Sequence, residues 1–167
     1  KMPQIGRLDI LVNNVGNIEK FGSFEDLAEE DWQRSFDLTF MSAVRFTNAA
    51  LPYLKMSDQA RIINISSLPA HQPGYFNPHY SAAKAALLNL TKHLANYLAK
   101  DQILVNAICP STLDGGGWHK NIENHSQREK ISIFQAEEIM RQEEGKKSPL
   151  GRMGTLNDVA NLVVFLA

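Results

Sequence analysis

Arg61-Ile62-Ile63-Asn64-Ile65-Ser66-Ser67, followed after a polar loop by Tyr80-Ser81-Ala82-Ala83-Lys84, is the stretch that decides how this chain is read. The first piece is an apolar run of strand length that ends in two serines. The second opens an amphipathic helical pattern extending from Pro78 to Lys100. Tyr80 and Lys84 are four residues apart, so on a helix they share one face and can act on one substrate space. A free phenol titrates near ~10 and is a poor base at neutral pH, but a cation within about 4 to 6 Å favours phenolate and lowers that value by roughly 1 to 3 units. Ser67, Tyr80 and Lys84 therefore read as a device for moving a proton to or from an alcohol oxygen. The spacing taken alone is equally that of a helix start with a solvated lysine.

Working outward, Leu8 to Asn13, Arg61 to Ser66 and Ile103 to Ile108 are short runs rich in Ile, Leu and Val. Near-continuous apolar strands are what a parallel sheet covered on both faces requires. Their alternation with long helical patterns predicts an α/β doubly wound parallel sheet. Between the first two strands, Ser23-Phe24-Glu25-Asp26 has the form of a capping start. From Glu29 to Leu54, Trp32, Phe36, Phe40 and Val44 recur at four-residue steps, and Leu51 resumes the apolar face, which predicts one long amphipathic helix. Pro52 marks its last, distorted turns. An aromatic stripe at this spacing is read as core or subunit interface, not as a cofactor site.

The 167 residues suit one domain, and nothing in them suggests a second. Seventeen Lys and Arg against eighteen Asp and Glu leave a net charge of −1, so neither nucleic acid nor an acidic membrane surface is an expected partner. Cys109 is the single cysteine, which excludes an internal disulfide and fits a reducing compartment. The first residues, Lys1 to Gly6, carry no apolar signal region, and no stretch reaches the ~18 apolar residues of a membrane span. The expected location is cytoplasmic. His119 and His125 have no partners at metal-ligand spacing, so no metal site is expected.

A second motif, Asn13-Asn14-Val15-Gly16, ends the first strand, and Pro149-Leu150-Gly151-Arg152-Met153-Gly154 precedes a capped helix from Asn157. With Ser67 and Tyr80-x-x-x-Lys84 in that order, the chain resembles the classical short-chain dehydrogenases/reductases. The resemblance implies a Rossmann-like fold, residues 1-167 forming a single partial domain without the N-terminal strands and the last strand of a usual member. It also implies an NAD(P)-dependent oxidoreductase that interconverts a carbonyl and a secondary alcohol by hydride transfer. Tyr80 is then the general acid or base, Ser67 orients the carbonyl oxygen, and Lys84 holds the nicotinamide ribose while lowering the Tyr80 pKa. Asn14, Gly16, Pro110 and Leu113 join Tyr80 and Lys84 in binding NAD or NADP. Residues 111-147 form the substrate lid, where Trp118, Ile131, Phe134 and Met140 are candidate linings of an apolar pocket. His71, Gln72, Pro73 and Tyr75 border a small-molecule carbonyl or alcohol substrate. A homodimer or homotetramer is implied, paired through the long helices.

The chain departs from the family pattern at several points. Thr39 stands where the family has an asparagine that anchors a relay water; its hydroxyl can hold a water, but the amide is gone, so the relay is either rearranged or fed by bulk solvent. Ser111 replaces a usual glycine, and Gly115 a threonine that contacts the nicotinamide. The Gly115 to Gly117 triplet does not follow a strand and open a helix as a dinucleotide loop must, and reads as a hinge. The segment that selects between NAD and NADP does not occur in these residues, and the 167 residues by themselves are expected to be inactive. Two other readings stand beside this one. One is a non-catalytic scaffold or truncated product that keeps the fold; the other is an extended-type sugar-nucleotide epimerase or dehydratase, which shares Ser and Tyr-x-x-x-Lys.

Overall fold

The computed structural model describes residues 6–115 and 117–167. They fall into two compact units, one ending at Cys109 with Val163–Ala167 added, the other Pro110–Leu162. In the first unit, β1 (Ile10–Asn13), β2 (Arg61–Ile65) and β3 (Leu104–Ile108) form a parallel sheet in the order β1-β2-β3. Val12 lies opposite Ile63, and Ile63 opposite Asn106. Helices α1 (Glu29–Phe36) and α2 (Ser42–Leu54) connect β1 to β2, and α3 (Pro78–Leu98) connects β2 to β3. This is the Rossmann-like α/β architecture that the strand content predicts.

Burial refines that expectation. In β2 the consecutive residues Ile62, Ile63 and Asn64 are all buried, so both faces of the central strand are covered. The flanking strands alternate instead: Ile10 and Val12 of β1 and Leu104 of β3 are exposed. Successive right-handed crossovers stack their helices on one face of a sheet, which leaves alternate positions of the outer strands uncovered. The covered face carries the core, in which Leu54, Ala60, Ile62, Leu98, Ile103 and Val105 pack with Leu11, Leu51 and Leu94. A fully buried leucine such as Leu54 contributes roughly 2 to 5 kcal/mol against truncation to alanine.

Through this apolar layer runs a polar line. Asn13 Nδ2 donates to Thr47 Oγ1 at 3.1 Å and to Asn64 Oδ1 at 2.8 Å. Asn64 Nδ2 donates to Thr91 Oγ1 at 2.8 Å, and that hydroxyl donates to the Leu87 carbonyl at 2.8 Å. The chain of bonds ties β1 and β2 to α2 and α3. An unmade bond inside such a layer costs more than a made one contributes, so the line fixes the register of the pieces it joins.

The single long helix expected from Glu29 to Leu54 is interrupted. Asp37–Met41 form a π-helical turn between α1 and α2, closed by the Ser42 N–H donating to the Asp37 carbonyl. The four-residue apolar steps run straight through it, which is why periodicity did not register the extra residue. Pro52 lies in the last turn of α2, where its missing N–H leaves one intrahelical bond unmade.

The second unit is built on β4 (Leu113–Asp114), α4 (Trp118–Glu129), α5 (Ile133–Lys147), β5 (Gly154–Thr155) and the start of α6 (Leu156–Leu166). Besides the capped helix from Asn157, the sequence predicts in this unit a helical stretch near Ile131 to Glu144, and α4 is additional. Its apolar signal is confined to Trp118 and Ile122, one i,i+4 pair in an otherwise polar segment. These two pack with Ala136 and Met153, with Ile131 and Met140 against them. Trp118, Ile131 and Met140 thus pack in this small core, while Phe134 is 76 % exposed. Lys130, in the left-handed region at φ 55°, closes α4, and Ser132 Oγ caps α5 by accepting from the Gln135 N–H at 3.2 Å. Of the expected glycine hinge, Gly115 has φ +133° and would press a Cβ to 2.9 Å from Leu156 Cδ1; Gly117 precedes α4, and Gly116 lies outside the described residues. The N-terminal residues 1–5 read above for a leader also lie outside them. No helix among the described residues is long and apolar enough to cross a membrane.

Candidate active site

The carboxyl ends of parallel strands share one edge of the sheet, and this is where the sequence-predicted residues of the first unit gather. At the end of β2 the two serines part company. Ser66 is structural: its N–H donates to the Ile108 carbonyl at 2.7 Å and its hydroxyl to the Lys84 carbonyl at 3.0 Å. Ser67 follows in extended conformation and opens a short 3-10 turn, Leu68–Ala70, which leaves its side chain partly exposed.

Tyr80 sits in the first turn of α3, where Pro78 satisfies the start of the helix. Ahead of that turn Asn77 takes the left-handed conformation at φ 58°. Its N–H donates to the Gly22 carbonyl at 2.7 Å, and its Oδ1 accepts from the Gly22 N–H at 3.2 Å. This two-bond clamp fixes the helix entry, and with it the direction of Tyr80. Ser67 is the side chain that acts on the phenol, favouring its ionised form.

Lys84, one turn further on, is only 3 % exposed. Its Nζ donates to the Ile65 carbonyl at 2.6 Å and lies 5.6 Å from the centre of the Tyr80 ring. Gly16 is the residue that makes room: a Cβ there would stand 3.0 Å from Lys84 Nζ and 3.4 Å from Thr39 Cγ2. Thr39 is fully buried inside the π-helical turn, and its hydroxyl has no hydrogen-bond partner among the described residues. Gly16, Thr39, Tyr80, Lys84 and Ser67 are thus brought to one place, with Asn14 exposed at the same sheet edge. Pro110 and Leu113 belong to the other unit, where Leu113 pairs with Gly154 across β4 and β5.

The electrostatics differ from expectation in one respect. Burial pushes Lys84 down to about 8, with the sulfur of Cys109 acting in the opposite direction. Burial also holds the Tyr80 phenol above its usual value, the Ser67 side chain pulling the other way. The lowering of Tyr80 by Lys84 that the spacing predicts is absent here. The ammonium is directed at the Ile65 carbonyl, and removal of the phenolate from water outweighs it. The loop between Ser67 and Tyr80, exposed from His71 to Phe76, carries an aromatic cluster the sequence reading only partly foresaw: Phe76 lies 4.9 Å from Phe21 and 5.2 Å from Tyr75, centre to centre. Tyr75 was singled out by its place in the loop; Phe21 carried no signal, because its partner is 55 residues away.

Comparison with known proteins accords with this geometry. A family model described as enoyl-(acyl carrier protein) reductase matches residues 2–167. The chain is 35% identical over 161 residues to 2-dehydro-3-deoxy-D-gluconate 5-dehydrogenase of Bacillus subtilis, covering 96% of this chain and 58% of that protein. Among solved structures, the ligand-free aldohexose dehydrogenase of Thermoplasma acidophilum superposes with a TM-score of 0.88 at 32% identity, over 97% of this chain and 61% of the other. L-sorbose reductase of Gluconobacter frateurii, complexed with NADPH and L-sorbose, gives 0.85 at 30% identity, over 98% and 60%. The chain spans 58 to 63% of the length of three curated relatives that it matches. A family model over almost the whole chain, oxidoreductase relatives above 30% identity, and Ser67, Tyr80 and Lys84 gathered at one sheet edge establish that the chain belongs to the short-chain dehydrogenase/reductase family.

Proposed function

We propose that the protein carrying this chain is an NAD(P)-dependent oxidoreductase that interconverts a carbonyl and a secondary alcohol, with Tyr80 as general acid and base. The observation that carries the reading is the action of Ser67 on the Tyr80 phenol above a buried Lys84 whose ammonium is 2.6 Å from the Ile65 carbonyl. The residues present suit a nicotinamide dinucleotide. Lys84 has three N–H donors and spends one on Ile65, leaving two for the paired hydroxyls of a ribose. Gly16 lets a ligand approach the backbone, and Asn14 presents an amide at the exposed strand end. The cofactor held by these first-unit residues is NAD or NADP. When bound, the nicotinamide supplies or accepts the hydride at the carbonyl carbon.

The remaining work falls to this chain's own side chains. Ser67 donates to the carbonyl oxygen and fixes its direction. Tyr80 gives its proton to that oxygen in reduction and takes it back in oxidation. A phenol held above its ordinary value is a competent acid in the resting site; its use as a base depends on the Lys84 ammonium turning toward it. Thr39 borders the same space beside Gly16 as Lys84 Nζ through its Cγ2, and its unpartnered hydroxyl is the group assigned to hold a water that re-protonates the site. The exposed Phe46 and Tyr53 of α2 and Tyr97 of α3 pair copies as a homodimer or homotetramer. The test is Tyr80→Phe in the purified protein. Carbonyl reduction falls by about 10² to 10⁴ while NADH or NADPH binding persists; unchanged turnover overturns the assignment.

A further inference from the structure

The segment that follows β1 runs alongside the start of α3. At one end of it Gly16 lies against Lys84, where a Cβ would stand 3.0 Å from Nζ. At the other end Gly22 exchanges two hydrogen bonds with Asn77, at 2.7 and 3.2 Å. Residues 16 to 22 thus follow the first turns of α3 backwards from Lys84 to the helix entry, and Tyr80 lies between the two anchor points. Phe21 directly precedes Gly22 and Phe76 directly precedes Asn77, so this clamp carries both rings to the entry end of the strip. Asn77 is three residues ahead of Tyr80, a rise of about 5 Å along a helix.

The rings form a corner. Phe21 and Phe76 lie 4.9 Å apart with their planes inclined by only 31°, which joins them into one apolar surface. Tyr75 stands at 81° to Phe76 with its centre 5.2 Å away and makes a second wall. Aromatic rings favour offset-stacked and edge-to-face contacts, and the corner offers both to a third ring. It is open to solvent, Tyr75 being 81 % and Phe76 37 % exposed. Grouped apolar rings held beside a reactive phenol are unfavourable in water until a ligand covers them, which marks the corner as a binding surface.

Charge narrows the ligand. From Ile62 to Ala83 the sequence contains no Asp, Glu, Lys or Arg. On the facing segment Lys20, the residue before Phe21, is held by Asp31 at 2.8 Å. A carboxylate or phosphate seated in the corner gives up water for hydrocarbon walls, and a hydroxylated substrate does the same with each hydroxyl it turns to the rings. A flat hydrocarbon ring is stabilised by both walls.

We propose that Phe21, Tyr75 and Phe76 determine the specificity of the site, and that they select an uncharged ketone with an apolar ring beside its carbonyl. The ring seats in the corner and the carbonyl oxygen reaches Tyr80 and Ser67. This inference rests on the reaction proposed above.

Reduction of acetophenone, dihydroxyacetone and acetoacetate, which present a ring, hydroxyls and a charge, is measured with NADH and with NADPH. The expected kcat/KM for acetophenone is at least about tenfold above that for either of the others. Tyr75→Ala and Phe76→Ala each lower the acetophenone to dihydroxyacetone ratio about fivefold or more, through the KM for acetophenone. The Tyr75 ring is largely exposed, so its variant decides alone if Phe76→Ala does not fold. A preference for dihydroxyacetone or acetoacetate overturns the inference and leaves Tyr80 in its role, as does a ratio that the variants do not change. Saturation-transfer NMR of acetophenone, with NAD or NADP present, separates the two claims. If no ketone is reduced but the phenyl protons receive saturation that Tyr75→Ala removes, the corner stands and the reaction falls. If no saturation reaches them, the corner falls.

Discussion

The two units of the chain handle charge in opposite ways. In the first, Lys84 is buried against a backbone carbonyl with no carboxylate beside it, and its ionisation is displaced to about 8. In the second, Arg141 reaches Asp114 through two bonds at 2.8 and 3.0 Å and Glu137 at 2.9 Å, all on the surface. The surface cluster has the better ion-pair geometry, yet water screens it and exposed pairs contribute little. The buried lysine is costly to the fold and pairs with no carboxylate among the described residues. Where a charge is held at the expense of stability, chemistry is the more economical explanation for it.

That contrast can be broken in four ways, in falling order of effect. Tyr80→Phe acts on the first unit's chemistry alone: turnover falls by orders of magnitude while the unfolding midpoint stays within a few degrees, and a parallel collapse of stability assigns Tyr80 a packing role instead. Asn64→Ala removes the centre of the polar line from Asn13 to Thr91 and leaves partners unpaired in the core, destabilising the chain by about 2 to 4 kcal/mol in denaturant unfolding. A loss below about 1 kcal/mol shows that the line does not hold the strands in register.

The third concerns pH. Lys84 titrates near 8 when folded and at its ordinary 10.5 when unfolded, so between those values the unfolded chain binds more protons. Stability of the unaltered chain relative to Lys84→Met therefore rises as pH goes from 8 to 10.5, by roughly 3 kcal/mol in all. Below pH 8 the difference is constant. Unfolding curves for both proteins at pH 7, 8, 9 and 10 check this, and a flat difference shows that the lysine is not desolvated. The smallest effect belongs to the second unit: Arg141→Ala lowers the melting temperature by no more than roughly 3 °C, and less in high salt. A larger drop makes the cluster structural.

How much of this was legible in the sequence varies by element. The strands at 61–66 and 103–108 were visible because continuous Ile and Val leave few other choices, and α3 because its apolar residues repeat at the helical period. Helix α4 was not, since Trp118 and Ile122 are its only buried residues and find their partners, Ala136 and Met153, far along the chain. The π-helical turn was hidden for a related reason: one added residue changes which side chain faces inward but leaves the spacing of apolar residues intact. Ser67, Tyr80 and Lys84 were legible as a motif, and Asn14 and Gly16 as a strand end.

By itself, then, the sequence determined the parallel α/β class, the order of the elements and the identity of the residues at the sheet edge, all of which follow from local pattern and spacing. Only the tertiary structure decided what those residues experience. It set Lys84 on the Ile65 carbonyl, pressed Gly16 against Lys84 and Thr39, and left the buried Thr39 hydroxyl without a partner among the described residues. Hydrogen-bond partners and burial depend on atoms brought together from distant parts of the chain, and no local pattern specifies their distances.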